Sequence, residues 1–326
     1  MGRSISCIIG NTVAARYILC LGANTKLCVA NARTFTSTGE PDLRRYHHLR
    51  NLFWIAYQQD KDLCLRTGQP PALSEYNCDL ELPFNYEEDY KLSLNLETCP
   101  RPVFPGDLRL GQFKSKAYID LYSLRALEKS DAMVLQNIRQ LDGDLERWRM
   151  TIPTEYRPTL YFSPTTTHDL RKVNARSVML RLEYHNCMAY IHQACGRFRP
   201  KASPHHDHLQ GLSSSLMLSI SACRASLSYL LVVKRALCPT DFWLMLFYPL
   251  SAILTIFCHV IMNPGLPETR KDLDLISRIA GLIRELGQDD DQMNERLYHS
   301  ERIWHFVMSL VNIARRRVDR EASDVV

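Results

Sequence analysis

The feature that most constrains the fold of this chain is an apolar periodicity of 3.6 residues that recurs along its length. Apolar side chains spaced alternately four and three residues apart lie on one face of an α-helix. The two clearest sets are Val134, Ile138, Leu141, Leu145 and Trp148, and Leu180, Tyr184, Cys187, Ile191 and Ala194. Glycine is scarce, with 13 residues, and long alternations of Val, Ile and Thr are absent. The sequence therefore predicts an all-α fold, a large multi-helix domain.

The same pattern predicts three further helices in the carboxyl-terminal half. Their apolar positions are Leu216, Ile220, Cys223, Leu227 and Leu230; Leu273, Ile276, Ala280 and Ile283; and Ile303, Val307, Leu310 and Ala314. Polar loops are expected at Arg199–Gln210 and Asn263–Thr269. Because no clear linker divides the 326 residues, we predict a single domain over 1–326.

The amino-terminal third has weaker helix signals and stronger breakers. Helices are expected at about Val13–Ala32 and Asp42–Cys64, the second stopped by Pro70-Pro71. The acidic stretch Ser74–Asp89 is expected to be extended or irregular, and Glu97–Gly111 to be a proline-containing loop.

Phe242–Met262 is a run of residues without a formal charge, long enough to span a bilayer. Pro249 and His259 interrupt it, and no second segment of this kind is present. A helix at the centre of an all-α domain is apolar on every side because other helices surround it. We interpret the run as a buried helix and expect no membrane partner; a membrane-associated protein is the alternative, which Gly2 in a loose myristoylation pattern also favours.

The charge balance argues against a protein whose overall electric field attracts nucleic acid. The net charge is +5 from 40 basic and 35 acidic residues, and the excess lies within residues 1–50. The remainder is balanced, so no general positive field exists. Arg315-Arg316-Arg317 with Arg320 fits either a nuclear-import signal or a solvated basic helix end.

Cysteine and histidine patterns favour structural roles. The 11 cysteines form no C-x-x-C pair, which indicates free thiols in a reducing compartment. His205-His206-Asp207-His208 is the most metal-like cluster, but it lies in an apparent loop, whereas a zinc site needs about four rigidly held ligands. His192 and Cys195 share a helix face and are interpreted as core residues. We therefore predict no metal site.

Asp60 and Asp62 flank Lys61, with Arg66 and Glu75 downstream. Paired carboxylates serve acid–base chemistry in some enzymes. Beside a helix end and a Pro-Pro turn, they are better interpreted as residues that fix the loop through salt bridges and backbone hydrogen bonds. Since phosphate loops, G-x-S-x-G and H-E-x-x-H are also absent, we predict no catalytic residue and no enzyme.

The segment Arg44–Pro83 resembles the signature of the fungal-specific transcription factor regulatory domain, also called the middle homology region. It contains a helix ending in Asp60-Lys61-Asp62, then Gly68-Gln69-Pro70-Pro71, then an acidic loop closing on Leu82-Pro83. Further similar motifs occur in the family's order. Ala14–Ala23 precedes the signature, and the motifs that follow it are Leu141–Pro153 with its L-x-x-x-L-x-x-W pattern, Leu182–Cys187 with Ile191-His192, and Phe242–Ala252 followed by Asn263-Pro264. The resemblance covers nearly the whole chain.

Two departures from the family pattern stand out. The six-cysteine zinc cluster that normally precedes this domain is missing, and the domain normally begins with helices upstream of Met1, so the chain is expected to be an N-terminally truncated regulator. Where family members have Gly-Arg-Pro-Pro, this chain has Gln69, which lacks the arginine's charge and fork.

The resemblance implies a nuclear transcription regulator of metabolic or secondary-metabolite genes. DNA would be reached only indirectly, through the transcription machinery, partner regulators or a missing zinc module, and a small molecule would act as effector. Zinc is expected only in that missing cluster, and any cofactor-binding residues are unknown. The alternative is a helical small-molecule-binding protein with no transcriptional role.

Overall fold

The computed structural model describes residues 2–26, 43–95, 104, 106–161, 173–197, 206–237, 242, 245–288 and 294–324. Within these ranges the chain forms eleven α-helices and no strand, which confirms the all-α prediction. The chain divides into two compact units: Met1–Ser93 with Glu97–Trp148, and Leu94–Leu96 with Arg149–Val326. A compact unit is not by itself a separate domain, so the single regulatory domain stays a prediction.

The first unit contains the helices up to Trp148, with one 3₁₀ turn and one π-helical turn between them. They are α1 (Gly2–Cys20), α2 (Leu43–Thr67), the 3₁₀ turn Glu75–Asn77, α3 (Tyr86–Ser93), α4 (Leu108–Ala117), the π-helical turn Tyr118–Tyr122, α5 (Leu124–Leu127) and α6 (Asp131–Thr151, which continues past this unit). Helix α2 packs against α1 and α4. Its aromatic residues Phe53, Trp54 and Tyr57 are fully buried and form the centre of this unit's core.

The second unit contains five long helices and two 3₁₀ turns. They are α7 (Ala175–Gln193), the 3₁₀ turn Ala194–Arg197, α8 (His206–Val233), the 3₁₀ turn Lys234–Ala236, α9 (Phe247–Met262), α10 (Thr269–Gln288) and α11 (Asn294–Asp324). Helix α8 packs against α7, α9 and α10, and α10 packs along α11. Asn174 caps α7 by accepting from the Ser177 N–H at 2.8 Å, and the Ser177 hydroxyl lies 3.1 Å from the Asn174 N–H.

The predicted apolar faces are confirmed. Every periodic position of the 134–148 and 180–194 sets is buried, as are all four of the 273–283 set. Leu216, Ile303 and Leu310 are only half-buried. The periodicity therefore identified the core faces of five helices because it depends only on local spacing.

Helix α1 does not match the predicted helix Val13–Ala32. It begins at Gly2 and ends at Cys20, and residues 27–32 lie outside the described part. Gly22 takes a left-handed φ of 64°. The Ala23 N–H donates to the Ile18 carbonyl at 3.0 Å and the Gly22 N–H to Leu19 at 3.1 Å, which closes the helix in a Schellman motif.

Helix α2 ends at Thr67. The residue that ends it is Gly68, and not Pro70-Pro71 as predicted. Gly68 has a left-handed φ of 70°, and its N–H donates to the Cys64 carbonyl at 2.8 Å. A side chain at this φ would be strained, so glycine is the residue that ends the helix here.

Two expectations for irregular backbone are wrong in part. Ser74–Asp89 contains the 3₁₀ turn and the start of α3, whose first turn carries Glu87, Glu88 and Asp89 at the positive end of the helix dipole. The predicted loop Glu97–Gly111 lies partly outside the described residues, and its last four residues belong to α4. Asp107 caps α4 by accepting from the Arg109 N–H.

The uncharged run Phe242–Met262 is not one helix buried on all sides. Helix α9 covers only its last 16 residues, and its buried side chains are Tyr248, Pro249, Ala252, Ile253, Ile256 and Val260. Leu254, Cys258 and Met262 are exposed. By length and composition alone, one helical stretch among the described residues could cross a membrane. It is Ser213–Val233 of α8, and 56% of its most apolar part is buried.

Candidate functional site

The loop that follows α2 is fixed by a buried ion pair. Asp60 and Lys61 are almost fully buried, with Oδ2 and Nζ 3.0 Å apart. Asp60 accepts from the N–H groups of Ala72 at 2.9 Å and Leu73 at 3.1 Å. Lys61 Nζ also donates to the Leu73 carbonyl and lies 4.7 Å from the centre of the Tyr57 ring. Because both charges meet several partners, their desolvation is offset and the loop backbone is held in place.

A buried guanidinium joins the same loop to the end of α1. Arg50 donates from Nη1 to the Ala23 carbonyl at 3.1 Å and from Nη2 to the Asp79 carbonyl at 2.8 Å. Its guanidinium carbon lies 4.6 Å from the centre of the Phe53 ring. Burial lowers the pKa of Arg50, and the Coulombic attraction of Asp79 opposes that shift. The planar fork of arginine is what allows one side chain to bridge two separate backbone segments.

Two further hydrogen bonds complete the attachment. The Tyr57 hydroxyl donates to Glu75 at 2.8 Å, and Gln112 Nε2 donates to the Leu80 carbonyl at 2.8 Å. Burial, followed by the Glu75 charge, raises the pKa of Tyr57, so the phenol stays a donor. The predicted role of Asp60 and Glu75 in fixing the loop is confirmed.

Asp62 has a different role from Asp60. It pairs with Lys114 of α4, with Oδ1 and Nζ 2.6 Å apart, and more distantly with Arg66, with Oδ2 and Nη2 3.6 Å apart. The two carboxylates of Asp60-Lys61-Asp62 therefore point to different partners: one fixes the loop, and the other ties α2 to α4.

A second buried carboxylate, Asp107, was missed by the sequence reasoning. It accepts from Trp148 Nε1 at 2.8 Å and from the Tyr86 hydroxyl at 3.2 Å, and it pairs with Arg109 at 2.7 Å. Trp148 is the tryptophan of the L-x-x-x-L-x-x-W motif, so this motif anchors α6 to the start of α4. Asp107 directly precedes an apolar helical segment, and this N-cap signal could have identified it.

The fixed loop and the turn before α3 present aromatic side chains to solvent. Tyr76 is 98% exposed and Phe84 is 88% exposed. Exposed aromatic residues on a backbone held by buried polar groups are typical of contact surfaces for other proteins. We take Tyr76 and Phe84 as the candidate functional site of the first unit and call them the aromatic pair.

The thiols of this region lack the features of a nucleophile. Burial raises the pKa of Cys64 to about 12 and that of Cys78 to about 11, so both stay protonated at neutral pH. A cavity of about 30 Å³ lies between α1, α2 and the turn after Gly68, and Asn11, Asp60 and Cys64 contribute to its lining. A space of this size holds one or two water molecules and not a metabolite.

Two histidines of the second unit, His185 and His192, are hydrogen-bonded within its core. His192 Nδ1 lies 2.7 Å from the Ser215 hydroxyl, and His185 Nε2 donates to the Thr159 carbonyl at 3.0 Å. Burial lowers the pKa of His185 to about 4, so its ring is neutral at physiological pH. Cys195 is also buried, which agrees with a core role for the His192–Cys195 face.

The histidine cluster at 205–208 is not a loop throughout. His206, Asp207 and His208 lie in the first turn of α8, and His205 lies outside the described residues. In the part of the chain that the structure describes, no group of three or more His, Cys, Asp or Glu side chains is arranged to hold a metal ion.

Comparison with known proteins gives the class of the chain: it is homologous to fungal transcription factors. The ABC-transporter-regulating transcription factor of Aspergillus fumigatus is 30% identical over 264 residues, which are 74% of this chain and 28% of the relative. The protein of the same description from Aspergillus oryzae is 30% identical over 269 residues, with the same coverage. The Fusaridione A cluster transcription factor fsdR of Fusarium heterosporum is 24% identical over 258 residues, which are 77% of this chain and 46% of the relative.

The chain thus spans between about a quarter and a half of the length of these relatives. No family model matches the chain, and no solved structure matches it. The relatives are transcription factors and not enzymes.

Proposed function

We propose that this chain is the regulatory module of a fungal zinc-cluster-type transcription factor. The observation that carries the proposal is the homology to fungal transcription factors over about three quarters of the chain. The module corresponds to the middle homology region, whose signature lies at Arg44–Pro83. It acts in the nucleus on genes for transport or secondary metabolism. The relatives' names refer to the regulation of an ABC transporter and to the fusaridione A cluster.

The contacts within the signature segment support this assignment. Arg50, Asp60, Lys61 and Gly68 are the residues that shape and hold the loop after α2. Gln69, where this chain departs from the family motif, is exposed, and its N–H meets the Thr67 hydroxyl at 3.3 Å. The departure therefore lies outside the buried contacts, and the loop keeps its anchors without an arginine at 69.

The module does not read DNA sequence by itself. Sequence reading needs an element that enters a groove with donors aimed at base edges, together with cationic contacts to phosphate. The zinc module that provides both in the family is missing from this sequence, and the charges beyond residue 50 cancel. Contact with promoters goes through partner regulators, the transcription machinery or a zinc module in a longer form of the protein. The aromatic pair is the surface that we assign to protein partners.

A fusion experiment tests the regulatory role. The 326-residue chain is joined to a heterologous DNA-binding domain, and reporter output is expected to change by severalfold in a fungal host. Tyr76→Ala with Phe84→Ala should reduce that change, because the two side chains are exposed and their loss leaves the core intact. Tyr161→Ala is the matched control, since Tyr161 is 77% exposed in the second unit.

A silent fusion that is expressed and located in the nucleus would refute the regulatory role. Equal reporter output from the aromatic-pair variant and from the Tyr161 control would refute only the assignment of the aromatic pair as the partner surface. Direct DNA binding by the bare chain is expected to be weak, indifferent to sequence and lost as salt rises. Sequence-selective binding that persists in high salt would contradict the claim that a partner reads the DNA.

The small-molecule-binding alternative stays a prediction. A second cavity, of about 10 Å³, is lined in part by His185, Cys223 and Tyr248, and it can hold no more than a water molecule.

A further inference from the structure

Helix α11 carries a stripe of exposed side chains that combines arginine with large apolar residues. Four buried residues form the core face of the helix: Val307, Val311, Ala314 and Val318. Six exposed residues, spaced three, four or seven positions apart, lie on the opposite side, and they are Tyr298, Arg302, Phe306, Ile313, Arg316 and Arg320. We call these six residues the outer stripe of α11.

Packing within the chain does not account for the apolar residues of the outer stripe. Tyr298, Phe306 and Ile313 are 56%, 52% and 53% exposed. They lie where a surface helix normally carries charged residues, opposite its buried face. Single exposed apolar residues are common in soluble proteins, but three on one side of one helix form a patch that indicates a contact surface.

The arginines give the outer stripe a positive charge. From Arg302 to Arg320 the helix contains five arginines and one acidic residue, Asp319. Within the described part of the chain, Arg316 and Arg320 form no ion pair. Electrostatic complementarity therefore requires acidic groups in the molecule that covers this stripe.

Arg302 is already held in place for such a contact. Its Nη1 donates to the Tyr298 hydroxyl at 3.1 Å, and its guanidinium carbon lies 5.3 Å from the centre of the Tyr298 ring. A guanidinium carries five N–H donors, so this contact leaves donors for a carboxylate. Because the tyrosine already restricts the arginine, less side-chain entropy is lost when a carboxylate binds.

The order of charge along the stripe distinguishes between kinds of partner. At 3.6 residues per turn, Arg302 and Arg320 lie on the centre line of the stripe, between the apolar side chains. A bilayer would have to take in these two arginines, whereas helices that lie on membranes keep their charges away from the apolar face. The phosphates of a nucleic acid would pair with the arginines but offer no apolar surface to Ile313. A protein segment that combines acidic and apolar side chains satisfies both.

We propose that the outer stripe of α11 binds an acidic amphipathic helix of another protein, a helix whose apolar stripe is flanked by Asp and Glu. The apolar side chains of the partner pack on the three apolar residues of the stripe, and its carboxylates pair with the three arginines. Because the outer stripe repeats every three or four residues, a partner helix with the same repeat meets it along its whole length.

The size of the stripe sets the strength of the contact. From Tyr298 to Arg320 the helix rises by about 33 Å, so a partner helix of about 22 residues covers it. A contact about 33 Å long and about 10 Å wide is smaller than the roughly 800 Å² per partner of a standard stable interface. The dissociation constant is therefore expected in the micromolar range.

Fluorescence anisotropy on the full 326-residue chain tests the proposal with synthetic peptides. The probe is a labelled helical peptide of about 22 residues, with Leu along one face and Glu on both flanks. Two control peptides replace every Glu with Gln, or keep the composition but distribute Leu around the helix. The probe should bind with a dissociation constant of roughly 10–100 µM, and both controls should bind about tenfold more weakly or not at all.

Charge reversal locates the arginine half of the site. Arg316→Glu with Arg320→Glu should weaken binding of the probe about tenfold or more, because it places carboxylates opposite carboxylates. Arg139→Glu with Arg147→Glu is the matched control, since both arginines are exposed on α6, and it should leave binding unchanged. Matching circular-dichroism melting curves show that each variant is folded.

Truncation locates the apolar half. Phe306→Ala with Ile313→Ala should weaken binding about fivefold or more, because the Leu face of the probe loses its contacts. Met133→Ala with Met150→Ala is the matched control, since these side chains are 51% and 53% exposed on α6, and it should have no effect.

Equal binding of the probe and of the peptide with distributed Leu would overturn the proposal, since charge alone would then explain the attraction. Absence of binding, or binding that either α11 variant leaves unchanged, would overturn it too. Binding of the chain to phosphatidylserine-containing vesicles or to single-stranded DNA, without binding of the probe, would assign the stripe to those ligands instead. None of these measurements uses the reporter fusion, so failure here and failure of the regulatory role are separate results.

Discussion

Two buried clusters of charge, one taken from each compact unit, work in different ways. In the first unit, Asp60, Lys61 and Arg50 bind backbone groups of a loop. In the second unit, Arg224 of α8 holds Asp272 of α10 through two contacts of 2.7 Å, which are bonds between side chains of neighbouring helices. The difference follows from the backbone: a loop leaves N–H and C=O groups that must find partners, whereas a helix satisfies its own.

This comparison leads to an order of expected costs. A charge that binds loop backbone is fully buried, so removing it strands both the opposite charge and the backbone groups. A charge that joins two helices is partly solvated, as the 24% exposure of the Arg224 side chain shows, so its removal is better tolerated. The four predictions below run from the largest expected effect to the smallest.

Lys61→Met should lower the free energy of unfolding by about 3–5 kcal/mol, because it leaves the Asp60 carboxylate buried without its ammonium partner. Urea denaturation of the variant and of the unchanged chain measures this loss. Lys91→Met is the matched control, since Lys91 forms a surface pair with Glu88, and it should cost less than about 0.5 kcal/mol. Equal losses in the two variants would contradict the role of the buried Asp60–Lys61 ion pair.

Acid should destabilise the second unit through His185. Its pKa is lowered to about 4 in the folded chain, from an ordinary value of 6.5. As the pH falls, the unfolded chain therefore binds a proton at His185 before the folded chain does. The free energy of unfolding is highest above about pH 6.5 and decreases as the pH falls towards 4. The total decrease is about 3 kcal/mol. His185→Gln keeps a donor for the Thr159 carbonyl and should flatten this part of the pH profile. An unchanged slope between pH 6.5 and 4 in the variant would count against the assignment.

Asp272→Asn should cost about 1–2 kcal/mol, because the amide keeps the shape but loses the charge-assisted bonds to Arg224. Thermal unfolding followed by circular dichroism measures the effect. Asp274→Asn is the control two residues away, and it should have almost no effect. Asp274 is exposed, and its distance of 3.9 Å from Arg278 is long for an ion pair. A loss for Asp272→Asn as large as that for Lys61→Met would remove the distinction between the two units.

Gln69→Arg should change the free energy of unfolding by less than about 0.5 kcal/mol. The side chain at 69 is exposed, and the Asp60 carboxylate already has its partners, so the family's arginine gains no buried contact here. Urea denaturation measures this small effect. A stabilisation above about 1 kcal/mol would show that the arginine makes an ion pair that the loop can accommodate.

The sequence predicted what depends on local spacing and missed what depends on distant partners. The buried positions from Val134 to Trp148 follow from helical periodicity alone. Asp107 could be recognised as a helix cap, but its bonds to Tyr86 and Trp148 join residues 21 and 41 positions away, which no local pattern reports. Arg50 was read only as part of a basic stretch for the same reason.

The uncharged run around α9 shows a different limit. Lack of charge indicates that a surface is not left in water, but it does not tell whether the same chain or another molecule covers it. The run was interpreted as a helix buried on all sides, and the structure buries only one side of a shorter helix. At the candidate site, the role of Asp60 in fixing the loop is predicted from the sequence, whereas the exposure of Tyr76 and Phe84 depends on the three-dimensional course of the loop.

The pair between Arg224 and Asp272 also has a consequence for the synthesis of the chain on the ribosome. Ser213–Val233 of α8 is apolar and long enough for the protein-translocation machinery to treat it as a membrane segment as it emerges. Arg224 lies near the middle of this stretch, where an arginine opposes insertion by about 2.5–3.5 kcal/mol. Replacing it with leucine would remove a helix-to-helix bond from the finished protein and also a charge that opposes the insertion of this segment into a bilayer.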